Sequence, residues 1–119
     1  MPTTTLSPDR RYLCSELVTV RWTPSWGPSG ETVANLEEIW GGGASMLAET
    51  GIPENALVRI EAQDVHFRGM VRCCRRDELG FIVEVDFLPN QRWDPRRYLP
   101  EHLFDPGVLL GYPTLVPAA

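Results

Sequence analysis

An arginine pair and a run of three glycines are the features of this sequence that could do chemistry. Arg10 and Arg11 are adjacent, and all 11 basic residues of the chain are arginine. The guanidinium group keeps its charge and offers a planar fork, so these positions suit contacts with anions or with the edge of a guanine base. Gly41, Gly42 and Gly43 could form a backbone cradle for a ligand. A tight turn between two antiparallel strands explains the same glycines without any ligand.

The residue types needed for metal binding or covalent catalysis lack a suitable arrangement. The cysteines are odd in number and form no CxxC motif, so no disulfide framework is predicted for Cys14, Cys73 and Cys74. His66 and His102 have no companions at the spacing of metal ligands. The chain also contains no GxSxG, P-loop or HExxH motif. We therefore expect no metal site, no resident cofactor and no enzymatic activity.

Length and charge restrict the class of protein further. A chain of 119 residues suits one domain, whose single core buries about two-thirds of the unfolded surface. The net charge of -5 at pH 7 disfavours DNA or RNA as a partner. The apolar stretches are too short to span a bilayer, and the N-terminus lacks the apolar segment of a secretion signal. We therefore expect a cytoplasmic protein without membrane insertion.

The alternation of apolar and polar residues predicts six short strands. The first is Ser15–Trp22, and the second and third flank the glycine run within Glu31–Glu49, with a bulge near Glu37 and Glu38. The remaining three are Leu57–Ala62, Val65–Cys73 and Phe81–Phe87. Six short strands joined by turns in one small domain indicate an all-β fold, an antiparallel barrel or sandwich.

The segments around the strands have different characters. Asp94 and Pro95 match a helix N-cap followed by proline at the first helical position, which predicts a short C-terminal helical segment of one or two turns as far as Phe104. Residues 1–9 are polar and predict a flexible lead, so the barrel domain spans residues 10–106. Residues 107–119 are an uncharged apolar tail, which favours a protein partner or a homo-oligomer.

The order of these motifs resembles the PilZ domain family over Asp9 to Phe87. That family is a six-stranded β-barrel of bacteria that typically binds the second messenger cyclic di-GMP. Its pattern is an RxxxR motif before the first strand, a (D/N)xSxxG motif where two strands meet, and a closing GVxF-like strand. Asp9–Cys14 looks like the first motif, Glu38–Ala44 like the second and Glu84–Phe87 like the third.

The resemblance implies both ligand residues and losses among them. The positions that match the ligand-binding pattern are Arg10, Arg11, Glu38 and Gly43. The departures are Cys14 for the second arginine, Trp40 for the serine and Glu84 for the glycine. Each lost charged hydrogen bond costs about 1.5–3 kcal/mol, so losing one arginine and one hydroxyl weakens binding by roughly 10²-fold.

The resemblance therefore predicts a non-enzymatic regulatory or interaction module whose cyclic di-GMP site is degraded or altered. The alternative is a functional cyclic di-GMP receptor that uses a variant pocket.

The fifth predicted strand carries two arginines, Arg68 and Arg72, which face away from the core. They either pair with Glu84 and Asp86 across the strands or form an anion-binding stripe.

Overall fold

The structure, a computed structural model, describes residues 10–106. It contains six strands: β1 (Tyr12–Thr23), β2 (Gly30–Trp40), β3 (Gly43–Ala48), β4 (Leu57–Ala62), β5 (Val65–Asp77) and β6 (Gly80–Phe87). β1 begins three residues earlier than the alternation predicts, and β5 continues to Asp77. The predicted lead at residues 1–9 and the predicted tail at residues 107–119 lie outside the described residues.

The strands close into a barrel in the order β1-β2-β3-β6-β5-β4, and all neighbouring pairs are antiparallel. β1 pairs with β2 from Tyr12 to Trp22, but it pairs with β4 only from Thr19 to Thr23. The predicted all-β fold, a six-stranded antiparallel barrel, is therefore confirmed.

Side chains alternate between the two faces of the barrel wall, as the two-residue period of a strand requires. In β1 the even-numbered residues from Tyr12 to Val20 are buried, whereas Leu13, Ser15 and Leu17 are exposed, as is Arg11 just before the strand. The core contains wall residues and one tryptophan from the segment after β6; its largest fully buried apolar side chains include Trp93, Tyr12, Leu36, Ile39, Met46, Ile60, Val71 and Val83.

The bulge predicted near Glu37 and Glu38 is confirmed, because the pairing of β2 with β3 shifts between Leu36 and Glu38. β1 contains another irregularity, between Leu13 and Glu16. Both lie in the half of the barrel that carries the glycine run. They allow Ala34, Leu36 and Ile39 to face the core although their sequence parity differs.

A bulge in β5 moves Cys73 away from the core face, where strict alternation with Val65, Phe67 and Val71 predicts it. The pairing of β5 with β6 shifts between Val71 and Cys73, so Arg72 is the extra residue. Cys73 consequently lies beside Glu84, with its Sγ donating to a carboxylate oxygen at 3.3 Å. Cys74 packs against the core instead.

The predicted helical segment from Asp94 to Phe104 is present only as a turn, and residues 10–106 contain no α-helix. Asp94 caps this turn as expected, since its side chain accepts a hydrogen bond from the Arg96 amide and its carbonyl accepts one from Arg97, both at 2.9 Å. Tyr98 then packs into the core and its carbonyl accepts a 2.9 Å hydrogen bond from the Trp93 indole. Packing of these two rings, followed by Pro100, stops helical propagation.

Beyond this turn, the chain covers the part of β1 that β4 leaves unpaired. Leu13 and Phe104 exchange two backbone hydrogen bonds, of 2.8 and 2.7 Å. The Ser15 amide donates to the Glu101 carbonyl at 3.0 Å. The segment after β6 therefore completes the barrel at the end where the predicted site residues lie.

Candidate functional site

The glycine run forms the tight connection between β2 and β3 that the sequence predicts. Gly43 is needed for close backbone approach, because a Cβ atom there would overlap the Val85 carbonyl oxygen and lie 2.8 Å from the Trp40 ring. Gly42 has more room, with the Trp40 ring 3.8 Å from a Cβ added there. Glycine is therefore required at position 43 because there is no room for a side chain.

Arg11 lies against the tryptophan that precedes this turn. Its Nε lies 2.9 Å from a Glu38 carboxylate oxygen, and its guanidinium carbon lies 3.8 Å from the centre of the Trp40 ring. The antiparallel register explains the contact, since Leu13 pairs with Glu38 and Tyr12 with Ile39, which carries Arg11 towards Trp40. An ion pair and a cation–π contact within the same chain thus occupy the guanidinium group.

Arg10 is directed to a different partner, the buried carboxylate of Asp105. Its two terminal nitrogens each lie 3.3 Å from one Asp105 oxygen. Asp105 is 1% exposed, so its charge needs a partner in the folded protein. The two adjacent arginines therefore hold different elements: Arg11 contacts β2, and Arg10 contacts the segment after β6.

Cys14 points into the barrel and not towards the predicted ligand. Its Sγ donates to the Leu36 carbonyl at 3.5 Å, and the residue is 9% exposed. Burial, followed by the negative charges of nearby glutamates, raises the pKa of Cys14 from 9.0 to about 12. The thiol is therefore protonated at neutral pH and serves as a core group. Ser15, its neighbour, is the outward residue four positions after Arg11.

Carboxylates line the barrel wall around Gly43. Glu38 pairs with Ser45, and Ser45 pairs in turn with Glu84 on β6. Asp86 pairs with Gly43 itself. The site predicted from sequence thus brings Arg11, Glu38, Trp40 and Gly43 together, with Glu84 two strands away in the same cross-strand row as Glu38. Because these acidic groups repel phosphate, the face suits an anionic dinucleotide poorly.

The two arginines of the fifth strand differ in whether they form ion pairs across the strands. Arg72 lies 3.5 Å from Glu84 and 3.8 Å from Asp86, as the cross-strand pairing hypothesis expects. Arg68 is exposed, and within residues 10–106 its side chain has no ion pair. Pairing is therefore the outcome at Arg72 only.

Trp93 supports the glycine turn and is not identified by the sequence patterns. Its backbone amide donates to the Gly41 carbonyl at 3.0 Å, next to a 2.8 Å hydrogen bond from Phe87 to Gly42. Its ring meets Tyr12 edge-on, with centroids 5.7 Å apart. The sequence offers one indication that Trp93 is buried: it is the single tryptophan in the polar stretch that follows the last strand.

Glu16 is a second residue that the patterns do not identify, although it shares the inward parity of Cys14 and Val18. It is 6% exposed and accepts hydrogen bonds from the Gln63 side chain at 3.1 Å and the Glu101 amide at 2.8 Å. Burial, followed by the negative charge of Glu16, raises the pKa of Tyr98 well above its ordinary value. Glu16 thus ties β1 to the segment after β6.

Comparisons with protein-family models, with curated proteins and with solved structures each found no match. Among the described residues, no helix is long and apolar enough to cross a membrane. The resemblance to the PilZ family therefore stays a prediction from the order of the sequence motifs.

Proposed function

We propose that this chain is a non-enzymatic, PilZ-like regulatory or interaction module of the cytoplasm whose cyclic di-GMP site is altered. The observation that carries the proposal is the double engagement of Arg11 by Glu38 and by the Trp40 ring. A phosphate or guanine ligand would have to displace both contacts and approach a wall that also carries Glu84 and Asp86.

A calorimetric titration of the full chain with cyclic di-GMP tests the altered site. We expect no saturable binding below about 100 µM, because one arginine and one hydroxyl of the family pattern are absent. The Arg96→Gln variant is the control, since Arg96 is 91% exposed and pairs with Asp94 in the turn after β6. A dissociation constant near or below about 1 µM would contradict the proposal.

The second candidate, a cyclic di-GMP receptor with a variant pocket, is favoured by the proximity of Arg11, Trp40 and Gly43. The Trp40 ring offers a face on which a guanine base could stack in place of Arg11. In that case the same titration gives a saturable signal that is lost in both Arg11→Gln and Trp40→Ala. The two candidates therefore make opposite predictions for one measurement.

Exposed apolar side chains support the interaction role. Leu17, Val33 and Leu79 are 73%, 42% and 80% exposed, and all three line a small cleft of about 170 Å³ on β1, β2 and the β5–β6 hairpin. Apolar surface of this kind marks interaction sites. Light scattering of the full chain, compared with Leu17→Ser, distinguishes a homo-oligomer from a monomer that awaits another protein. If the wild type is a monomer and Leu17→Ser does not change its solubility, the exposed apolar side chains no longer support an interaction role.

A further inference from the structure

Three arginines lie directly opposite one another on adjacent strands, at the other end of β1 from Arg11. Arg21 on β1 pairs with Arg59 on β4, and Arg59 pairs with Arg68 on β5. Neighbouring strands are about 4.8 Å apart, and like charges placed opposite one another destabilise a sheet. This arginine row is therefore a concentration of positive charge in a protein whose net charge is -5.

Carboxylates of the barrel only partly offset the row. Arg21 Nε lies 2.7 Å from Glu31 and 3.5 Å from Glu61, and Arg59 Nε lies 3.2 Å from Glu61. Arg68 has no ion pair among residues 10–106. Two carboxylates thus face three guanidinium groups, which leaves positive charge and unused N–H donors on the side of Arg68.

All three arginines line one cavity of about 800 Å³, here called the arginine cavity. Its wall also contains the apolar residues Trp22, Leu57 and Leu88. Leu57 is 51% exposed, so apolar surface is open to solvent at this point. A volume between about 300 and 1,000 Å³, with apolar walls and a few charged groups, is typical of a site for a small organic molecule.

We propose that the arginine cavity binds a small organic phosphate. The row holds the phosphate groups through the forked N–H donors of Arg59 and Arg68, while Trp22 and Leu57 contact the apolar or aromatic body of the molecule. A phosphate is favoured over a single carboxylate because of the number of donors. Each guanidinium has five N–H donors, and the two oxygens of one carboxylate cannot accept hydrogen bonds from all three arginines. The site is separate from the one around Arg11, about 30 Å along β1, and does not depend on it.

Titration of the full chain with ADP tests the proposal, with pyrophosphate and adenosine as separate halves of the same molecule. We expect ADP to bind most tightly, pyrophosphate more weakly and adenosine not detectably. Raising the salt concentration should weaken ADP binding, since the contacts are charged. Arg68→Gln and Arg59→Gln should each weaken it by about 10- to 100-fold, the loss expected for charged hydrogen bonds of one arginine.

Two matched variants separate this site from others. Arg96→Gln removes one exposed arginine outside the cavity, and Arg11→Gln removes the arginine at the glycine turn; both should bind ADP like the wild type. Thermal unfolding of Arg68→Gln checks that it folds, and its melting temperature should not fall, because the substitution relieves repulsion with Arg59. Absence of binding of both ADP and pyrophosphate to the folded wild type at 1 mM overturns the proposal. Equal affinity for ADP and adenosine, equal affinity for ADP and pyrophosphate, or ADP binding unaffected by Arg59→Gln and Arg68→Gln also overturns it.

Discussion

The guanidinium carbon of Arg11 lies 3.8 Å from the centre of the Trp40 ring, and the Nε of the same arginine forms an ion pair with Glu38 at 2.9 Å. This contact joins the residue before β1 to the end of the neighbouring strand, β2. It also decides how the candidate site behaves, because any ligand for Arg11 competes with a tryptophan that is already in place.

A double-mutant cycle measures the contact. Arg11→Gln and Trp40→Leu should each lower the free energy of unfolding, and the coupling between them should be about 0.5–1 kcal/mol, the range of a solvent-exposed cation–π pair. Urea unfolding of the wild type, both single variants and the double variant provides the four free energies. A coupling indistinguishable from zero would show that Arg11 and Trp40 do not interact in solution.

A second arginine near the glycine turn can be introduced at position 15 or at position 14, and the two substitutions should have opposite effects. Ser15→Arg with Trp40→Ser places a second guanidinium on the outer face, four residues after Arg11, and should increase cyclic di-GMP binding. Cys14→Arg with Trp40→Ser places the charge in the core, where an unpaired buried charge costs about 3–5 kcal/mol, and should unfold or strongly destabilise the protein. Calorimetry measures cyclic di-GMP binding by both double variants, and thermal unfolding measures their stability. Equal stability of the two double variants would contradict the inward orientation of Cys14.

Alkaline pH should reveal the buried thiol. The folded protein keeps the Cys14 proton until its pKa of about 12, whereas an unfolded chain releases it near the ordinary value of 9.0. Its stabilising contribution is therefore complete below pH 9 and is lost as the pH rises towards 12, at up to about 1.4 kcal/mol per pH unit. Urea unfolding at pH 8, 9 and 10 should show a steeper loss for the wild type than for Cys14→Ala. Parallel losses would mean that the thiol is accessible to solvent.

Adjacent glycines should differ in their tolerance of alanine. Gly43→Ala places a methyl group against the Val85 carbonyl and the Trp40 ring, so it should cost about 1–3 kcal/mol as an overpacked site. Gly42→Ala meets only ordinary contacts and should cost less than about 1 kcal/mol. Thermal unfolding compares the two variants directly. A Gly42→Ala protein less stable than Gly43→Ala would contradict the structure of the turn.

The sequence predicts the six strands well because apolar and polar residues alternate cleanly over most of their length. The bulge near Glu38 was also predictable, since the parity of Leu36 and Ile39 requires it. The parity change at Arg72 was not, because a bulge in β5 leaves no mark in composition and moves Cys73 to the outer face. The helix predicted from Asp94 fails for a related reason: the cap is correct, but burial of Tyr98 outweighs local helix propensity.

For the candidate site, the sequence motifs predict only some of the residues that the structure brings together. The motif pattern groups Arg11, Glu38 and Gly43 correctly, since register and turn follow from strand layout. It places Arg10 and Cys14 in the same site, whereas Arg10 pairs with Asp105 and Cys14 is in the core. These two outcomes depend on contacts with the segment after β6 and on the inward parity of β1. A short motif contains neither kind of information.

The pairing of Leu13 with Phe104 has a consequence for how the barrel is made. Its neighbours Arg10 and Asp105 are 95 positions apart, so the first strand is completed by nearly the last described residues. We expect that a ribosome-bound chain cannot finish the barrel until Phe104 has left the exit tunnel. Until then the exposed edge of the first strand can pair with another nascent chain, which makes early termination near residue 100 a cause of aggregation.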